Sequence, residues 1–288
     1  MRIPESGTAP PGAPKPEDLR LPQLLQPAHL TGIAAFALSL GLLFLAPGYA
    51  VVPLLGFLLV CLVMPLFPRL SFYLPIVSRG GKDVPGVALT FDDGPDPEVT
   101  PRVLDLLERH GIKATFFVIG AKAQRHPELI RAILERGHAL GNHSQTHPPF
   151  LMLQGRRALA REVATAQAVL RQAGVLARAF RPPVGVTNPD LRAVLAAHGM
   201  FCVNFSCRAG DMGNLRVPGL ARKLIRKARA GDIILLHDTR PHRVPVDTLL
   251  AEFSDLIQGL GRRGLAILPL AEVIGREVMT GPAPPRPD

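Results

Sequence analysis

Tryptophan is absent from this chain, and tyrosine occurs only twice, at Tyr49 and Tyr73. Aromatic platforms on which a ligand could stack are therefore scarce. Cysteine is almost as rare, with only Cys61, Cys202 and Cys207 present. Cys61 lies in an apolar N-terminal region, and an odd spacing separates Cys202 from Cys207, so one continuous strand would point them to opposite faces. No disulfide framework or zinc knuckle follows from three such residues, and they do not report a redox compartment. Acidic side chains are outnumbered: 23 Asp and Glu stand against 33 Lys and Arg, for a net charge of +10. That balance favours anionic surroundings such as membrane head groups or acidic glycans. No nucleic-acid motif accompanies it, so nucleic acid is not expected as a partner.

The most informative absence is local. From Leu21 to Pro68 there is not one Asp, Glu, Lys or Arg. Within that stretch two largely apolar runs, Leu30–Ala46 and Val51–Phe67, are broken by Pro47-Gly48. As helices each would be roughly 25 Å long, the short end for crossing a bilayer. The expectation is a membrane hairpin over residues 21–68, with helices at about 30–46 and 51–67. Tyr49, Phe72 and Tyr73 suit its interfaces. A cleaved signal peptide has a shorter apolar core and a basic start, whereas Glu5, Glu17 and Asp18 here balance Arg2, Lys15 and Arg20. A hairpin puts both of its ends on one side of the membrane. Arg69, Arg79 and Lys82 beyond the second span argue for the cytoplasmic side of an inner or plasma membrane.

Around the hairpin, residues 1–20 are rich in Pro, Gly and charge and read as a disordered tail. Residues 69–86 read as a linker, and 276–288 as a second tail. Between them, 87–275 alternates strand-like and helix-like segments. Val87–Phe91 is a short apolar strand. Thr100 is read as a helix N-cap with Pro101 behind it, and Gly111 as the stop. Further strands are expected at Ala114–Ile119, Ala179–Arg181, Met200–Phe205, Ile233–His237 and Leu265–Leu268. Helices are expected at Pro127–Arg136, Arg156–Gln172, from the Asn188-Pro189 cap to Gly199, at Val217–Ala230, and at Val246–Arg263. Alternation of this kind implies a parallel sheet covered on both faces. With reactive residues at strand ends, it suggests an incomplete barrel.

Those reactive residues come in four groups. Asp92 and Asp93 end the first strand of this region and precede Gly94-Pro95. Two adjacent carboxylates there repel each other and are costly to desolvate unless a cation lies beside them. His143 and His147 are four residues apart, which is expected to place both imidazoles on one face of a helical turn. Asp93, His143 and His147 form a one-carboxylate, two-imidazole set suited to zinc or another divalent first-row ion. Arg181-Pro182-Pro183-Val184-Gly185 and Leu235-Leu236-His237-Asp238 follow in order.

With these four motifs in sequence, the chain resembles the polysaccharide deacetylases of carbohydrate esterase family 4, the NodB-homology domain, over roughly residues 85–275. The resemblance implies a distorted (β/α) barrel and a metal-dependent hydrolase of a carbon–nitrogen bond that removes N-acetyl groups from an amino-sugar glycan. It assigns Asp93, His143 and His147 to the metal, Asp92 to a general base, and Arg181 to the partner of that base. His237 becomes the acid that protonates the departing amine, and Asp211 the carboxylate that keeps His237 charged. The backbone N–H of Val184 belongs to the oxyanion hole, and Ile234 and Leu236 would accept the acetyl methyl group. Three positions depart from the family pattern: Val184 where Tyr is usual, Arg208 where Asp is common, and Met212 where Trp is common. Most such enzymes act on cell-surface glycans, which favours the extracytoplasmic side, opposite to the charge rule above.

Two other functions fit the same residues. One is a deacylase or deformylase of a lipid-linked amino sugar, which the hairpin and the missing aromatic platform favour. The other is an inactive carbohydrate-binding protein, against which the intact set of acids, bases and ligands argues. The basic segment Arg216, Arg222, Lys223, Arg226, Lys227 and Arg229 is either a solvated helix face or a contact for anionic lipid or glycan. The partners implied are an N-acetylated glycan or glycolipid and the membrane; the oligomeric state is left open.

Overall fold

The computed structural model describes residues 26–81 and 83–281. The tail expected at 1–20, Lys82 and the last residues of the tail expected at 276–288 lie outside them. The chain divides between Cys61 and Leu62 into two compact units. The first holds helix α1 (Pro27–Leu45) and most of α2 (Val52–Val63). The two helices are tied where Phe57 packs on Gly32, whose missing side chain leaves room for the ring. The Ser39 hydroxyl donates to the Ala50 carbonyl. Pro27–Leu45 and Pro47–Leu66 are each long and apolar enough to cross a membrane.

The second unit is an α/β fold built on one parallel sheet. Its elements in order are β1 (Ile76–Val77), β2 (Gly86–Asp92), α3 (Thr100–Arg109), β3 (Thr115–Val118), α4 (Gly120–Arg125), α5 (Pro127–Glu135) and β4 (Ala139–Asn142). Then come α6 (Arg156–Gln172), β5 (Leu176–Ala177), β6 (Ala179–Phe180), α7 (Leu191–Ala197), β7 (Phe201–Val203) and β8 (Cys207–Arg208). The chain continues with α8 (Leu220–Lys227), β9 (Ile233–His237), α9 (Val246–Arg262), β10 (Ala266–Ile267), α10 (Leu270–Ile274) and β11 (Met279–Thr280). The strand order is β1-β7-β6-β4-β3-β2-β9-β8, with β10 also paired to β2. The outermost strands, β1 and β8, do not meet among the described residues, so the sheet curls without closing.

The pleat sorts the side chains of the central strands into two layers. On β2, Val87, Leu89 and Phe91 pack outward with α3 and α9, joined by Phe116 of β3 and by Ile234 and Leu236 of β9. Ala88 of β2 turns to the concave side with Phe117, Val203, Phe205, Ile233 and Leu235. Thr90 and Asp92 share the face of Ala88, so Asp92 ends the strand on the concave side. In the register of β2 and β9, Asp92 stands beside His237.

Several local expectations are corrected. The stretch expected as linker, 69–86, contains β1, which pairs with β7. The segment expected as tail, 276–288, contains β11, which pairs with β5. Two-residue strands carry no periodic signal, and their partners are remote in sequence. Thr100 is inside α3 and does not cap it; the Asp96 carboxylate accepts from the N–H groups of Glu98 and Val99 instead. Asn188 precedes the N-cap position of α7, which is Asp190, yet its side chain accepts from the Leu191 N–H at 2.9 Å. Phe72, expected at a membrane interface, is buried.

Candidate active site

The site lies at the C-terminal ends of β2, β4, β6, β8 and β9, where a cleft of about 400 Å³ is lined by Asp92, Asp93, His143, His147, Val184, Asp211 and His237 among others. Its foundation is Arg181, which is fully buried immediately after β6. The guanidinium lies 4.0 Å over the Phe117 ring and donates from Nη1 to Asp92 Oδ1 at 2.6 Å and to Thr90 Oγ1 at 2.8 Å. A buried charge needs such partners, and here the ion pair, a hydroxyl and the Asn204 carbonyl provide them. Asp92 is thereby fixed in one orientation.

Asp93, next along the chain, turns away with φ of 71°. His147 (φ 55°) and Val184 (φ 54°) also sit in the left-handed region, which is strained for a β-branched residue such as Val184. Backbone strain of this kind collects at functional sites. Asp93 Oδ1 lies 3.4 Å from His143 Nε2 and 3.2 Å from His147 Nε2. These three groups offer donor atoms within 4.8 Å of one another. Asp93 Oδ1 is buried with no hydrogen-bond partner in the described protein, the situation a cation would relieve. His143 Nδ1–H donates to the Arg181 carbonyl at 2.7 Å, which aims Nε2 at Asp93, the support that metal-binding imidazoles need.

The helical turn expected for His143 and His147 is not formed. Both lie in a loop after β4, in which Ser144 also has positive φ. Glu162 of α6 shapes that loop: its carboxylate accepts from Gln145 N–H at 2.9 Å, Thr146 N–H at 2.8 Å and the Thr146 hydroxyl at 2.9 Å. Nothing in the sequence around Glu162 separates it from an ordinary exposed helix residue.

The electrostatics agree with a cation site. Burial by itself raises the Asp93 carboxyl, but His143, with His237 and His147, outweighs it and holds Asp93 well below the usual carboxylate range. Burial opposes a charge on His143, yet Asp92 and Asp93 raise it. His147 moves the other way, lowered by burial and by His143. On the far wall, His237 Nδ1 bonds Asp211 Oδ2 at 2.7 Å, and its Nε2 is 3.9 Å from Asp93 Oδ2. Burial lowers His237, but Asp211, then Asp93 and Asp92, push it up to about 9. Asp211 is lowered by the same bond against the effect of its own burial. Asn214 holds the pair in place, with its amide donating to the His237 carbonyl at 2.8 Å and its N–H to Asp211 Oδ2.

The structure thus brings Asp92, Asp93, His143, His147, Val184, Asp211 and His237 to one cleft, with Arg181 buried behind Asp92. It does not bring Ile234 and Leu236, which are in the outer core. Leu235 lines the cleft in their place. The strand period decides this: a side chain facing the same way as His237 must be an even number of residues from it. Phe205, Arg208 and Met212 also line the cleft. Asp238 follows β9 directly. It is fully buried behind the Asp92–Gly94 turn, accepts from the Thr100 hydroxyl at 2.6 Å, and is pushed by burial up to about 7.

In sequence and fold the chain is similar to known proteins. The polysaccharide deacetylase family profile matches residues 79–203. A chitooligosaccharide deacetylase of Sinorhizobium fredii is 39% identical over 209 residues, covering 69% of this chain and 97% of that protein. The Bc1960 peptidoglycan N-acetylglucosamine deacetylase is 27% identical, with a TM-score of 0.63 over 70% of this chain and 94% of its own. A family 4 carbohydrate esterase of Streptomyces lividans is 32% identical, with a TM-score of 0.57 over 69% and 97%. On the length and identity of these matches, the chain belongs to the polysaccharide deacetylases, carbohydrate esterase family 4, hydrolases of non-peptide carbon–nitrogen bonds.

Proposed function

We propose that this protein is a membrane-anchored, metal-dependent N-deacetylase of N-acetylated amino-sugar glycans, with Asp92 as base and His237 as acid. One observation carries the reading. A carboxylate clamped by a buried arginine lies beside a carboxylate facing two imidazoles, and a third imidazole paired to its own aspartate stands opposite.

Asp93, His143 and His147 would hold the ion, and a carboxylate with two imidazoles suits zinc or another first-row divalent metal. When bound there, such an ion supplies Lewis acidity and makes water nucleophilic near neutral pH. The chain's own groups do the rest. Arg181 occupies Asp92 Oδ1 and leaves Oδ2 to take the proton from the attacking water. The Val184 N–H serves the oxyanion that develops on the acetyl oxygen. His237, kept charged by Asp211, gives its proton to the nitrogen as the C–N bond breaks, so acetate and a free amine leave. The apolar wall of Leu235 and Phe205 fits the acetyl methyl. The relatives named above support an N-acetylglucosamine-containing substrate, and the two apolar helices support the anchor.

The test is acetate release from N-acetylglucosamine oligomers by the full chain supplied with divalent metal. The wild type should release acetate, and Asp92→Asn should lose about 10²–10⁴ in kcat while keeping its metal. A wild-type rate in Asp92→Asn would remove the base from this account.

A further inference from the structure

In the described chain beyond Leu70, the large apolar side chains left exposed are Phe150, Leu153, Val184 and Met212, at 55% to 83% exposure. All four sit in loops that leave the C-terminal ends of β4, β6 and β8, the end that carries the site. Val184 and Met212 line the cleft itself. Exposed apolar groups scattered singly are ordinary, but a set confined to the loops at the end of the sheet that carries the site marks a binding surface.

A second observation says what that surface meets. The second apolar segment ends at Leu66. Just beyond it, the Pro68 carbonyl accepts from Asn204 Nδ2 at 2.9 Å, and the same amide donates to the Gly185 carbonyl at 3.2 Å. Gly185 lines the cleft beside Val184. The chain therefore passes from an apolar segment to the wall of the site within a few residues, and Leu66, Phe67 and Leu70 along the way are exposed too. A third observation concerns charge. Arg208 lines the cleft, in register with Leu235, and its guanidinium lies 5.6 Å over the Phe205 ring. Among the described residues no carboxylate is within ion-pair distance of it. An arginine without a partner at the rim of a cleft is suited to phosphate.

We propose that the mouth of the site works against the bilayer that holds residues 27–66, and that its substrate is an N-acetylated amino sugar joined through phosphate to a lipid. The apolar rim enters the boundary between head groups and acyl chains. Arg208 receives the phosphate. The substrate half of this inference rests on the deacetylase function proposed above; the membrane half does not.

Because the chain has no tryptophan, one introduced at the rim is a unique reporter. Full-length Leu153→Trp and Met212→Trp in proteoliposomes should be quenched by phosphatidylcholine brominated near the head group. Arg171→Trp, at the C-terminal end of α6, should not. Rim reporters as unquenched as Arg171→Trp would overturn the membrane half. In the same vesicles, with metal, acetate release is compared for polyprenyl-diphosphate N-acetylglucosamine, soluble N-acetylglucosamine 1-phosphate and chitopentaose. The lipid-linked sugar should give the highest kcat/KM, and Arg208→Gln should cut its preference over chitopentaose by about tenfold or more. Equal use of the soluble substrates, or a preference that Arg208→Gln leaves untouched, would overturn the substrate half alone. No acetate from any of the three would overturn the deacetylase reading and this substrate with it.

Discussion

A single hydrogen bond decides whether His237 holds the proton that its proposed role as acid needs. His237 is buried, which alone would strip its proton, and the Asp211 carboxylate at 2.7 Å reverses that. The sign follows from the direction of the shift. A group raised from 6.5 to about 9 stays charged through neutral pH and loses its proton as pH rises through about 9. Turnover should therefore fall on an alkaline limb near pH 9. Asp211→Asn should move that limb to lower pH, as a pH series of kcat would show. An unmoved limb would mean that another carboxylate tunes His237. The same ion pair stabilises the fold below about pH 6.5 and less as pH climbs to 9, so the loss of Tm in Asp211→Asn should be largest on the acid side. The charged and imidazole residues that meet in the cleft were legible in the sequence because their types are rare in apolar surroundings and occur in a recognisable order. The apolar wall of the cleft was not. Ile234, Leu235 and Leu236 are alike in chemistry, and choosing among them needed the alternation to be counted back from His237.

The same contrast holds for whole elements. β2, β9, α6 and α9 could be read from their apolar runs and helical periods nearly to their ends. β6 and β10 lie inside the expected strands Ala179–Arg181 and Leu265–Leu268, but β1, β5, β8 and β11 could not be read, since strands of two residues are defined by their partners and not by their own composition. The loop that carries His143 and His147 differs from the helical turn their spacing suggests, because Glu162 of α6 holds it through three hydrogen bonds. That gives Glu162 a role the sequence hid. Glu162→Ala should leave the imidazoles present but poorly aimed, weakening divalent-metal binding by about 10–100-fold, the usual cost of losing an outer support. Competition with a chelator measures it. Unchanged affinity would show that the Arg181 carbonyl and Ser144 suffice to hold the loop.

For the molecule as a whole, the chain joins a charge-free stretch to a basic catalytic domain. If apolar area and not charge holds it to the bilayer, carbonate or high-salt washing should leave the intact chain in the membrane fraction. Release by either wash would remove the anchor from the account. The claim on which the rest depends is that Asp93, His143 and His147 form one cation site serving Asp92 and His237. The direct measurement is metal content per chain in the purified full-length protein. One divalent ion is expected in the wild type, one in Asp92→Asn, and almost none in His147→Ala. A full complement of metal in His147→Ala, or none in a catalytically active wild type, would contradict it.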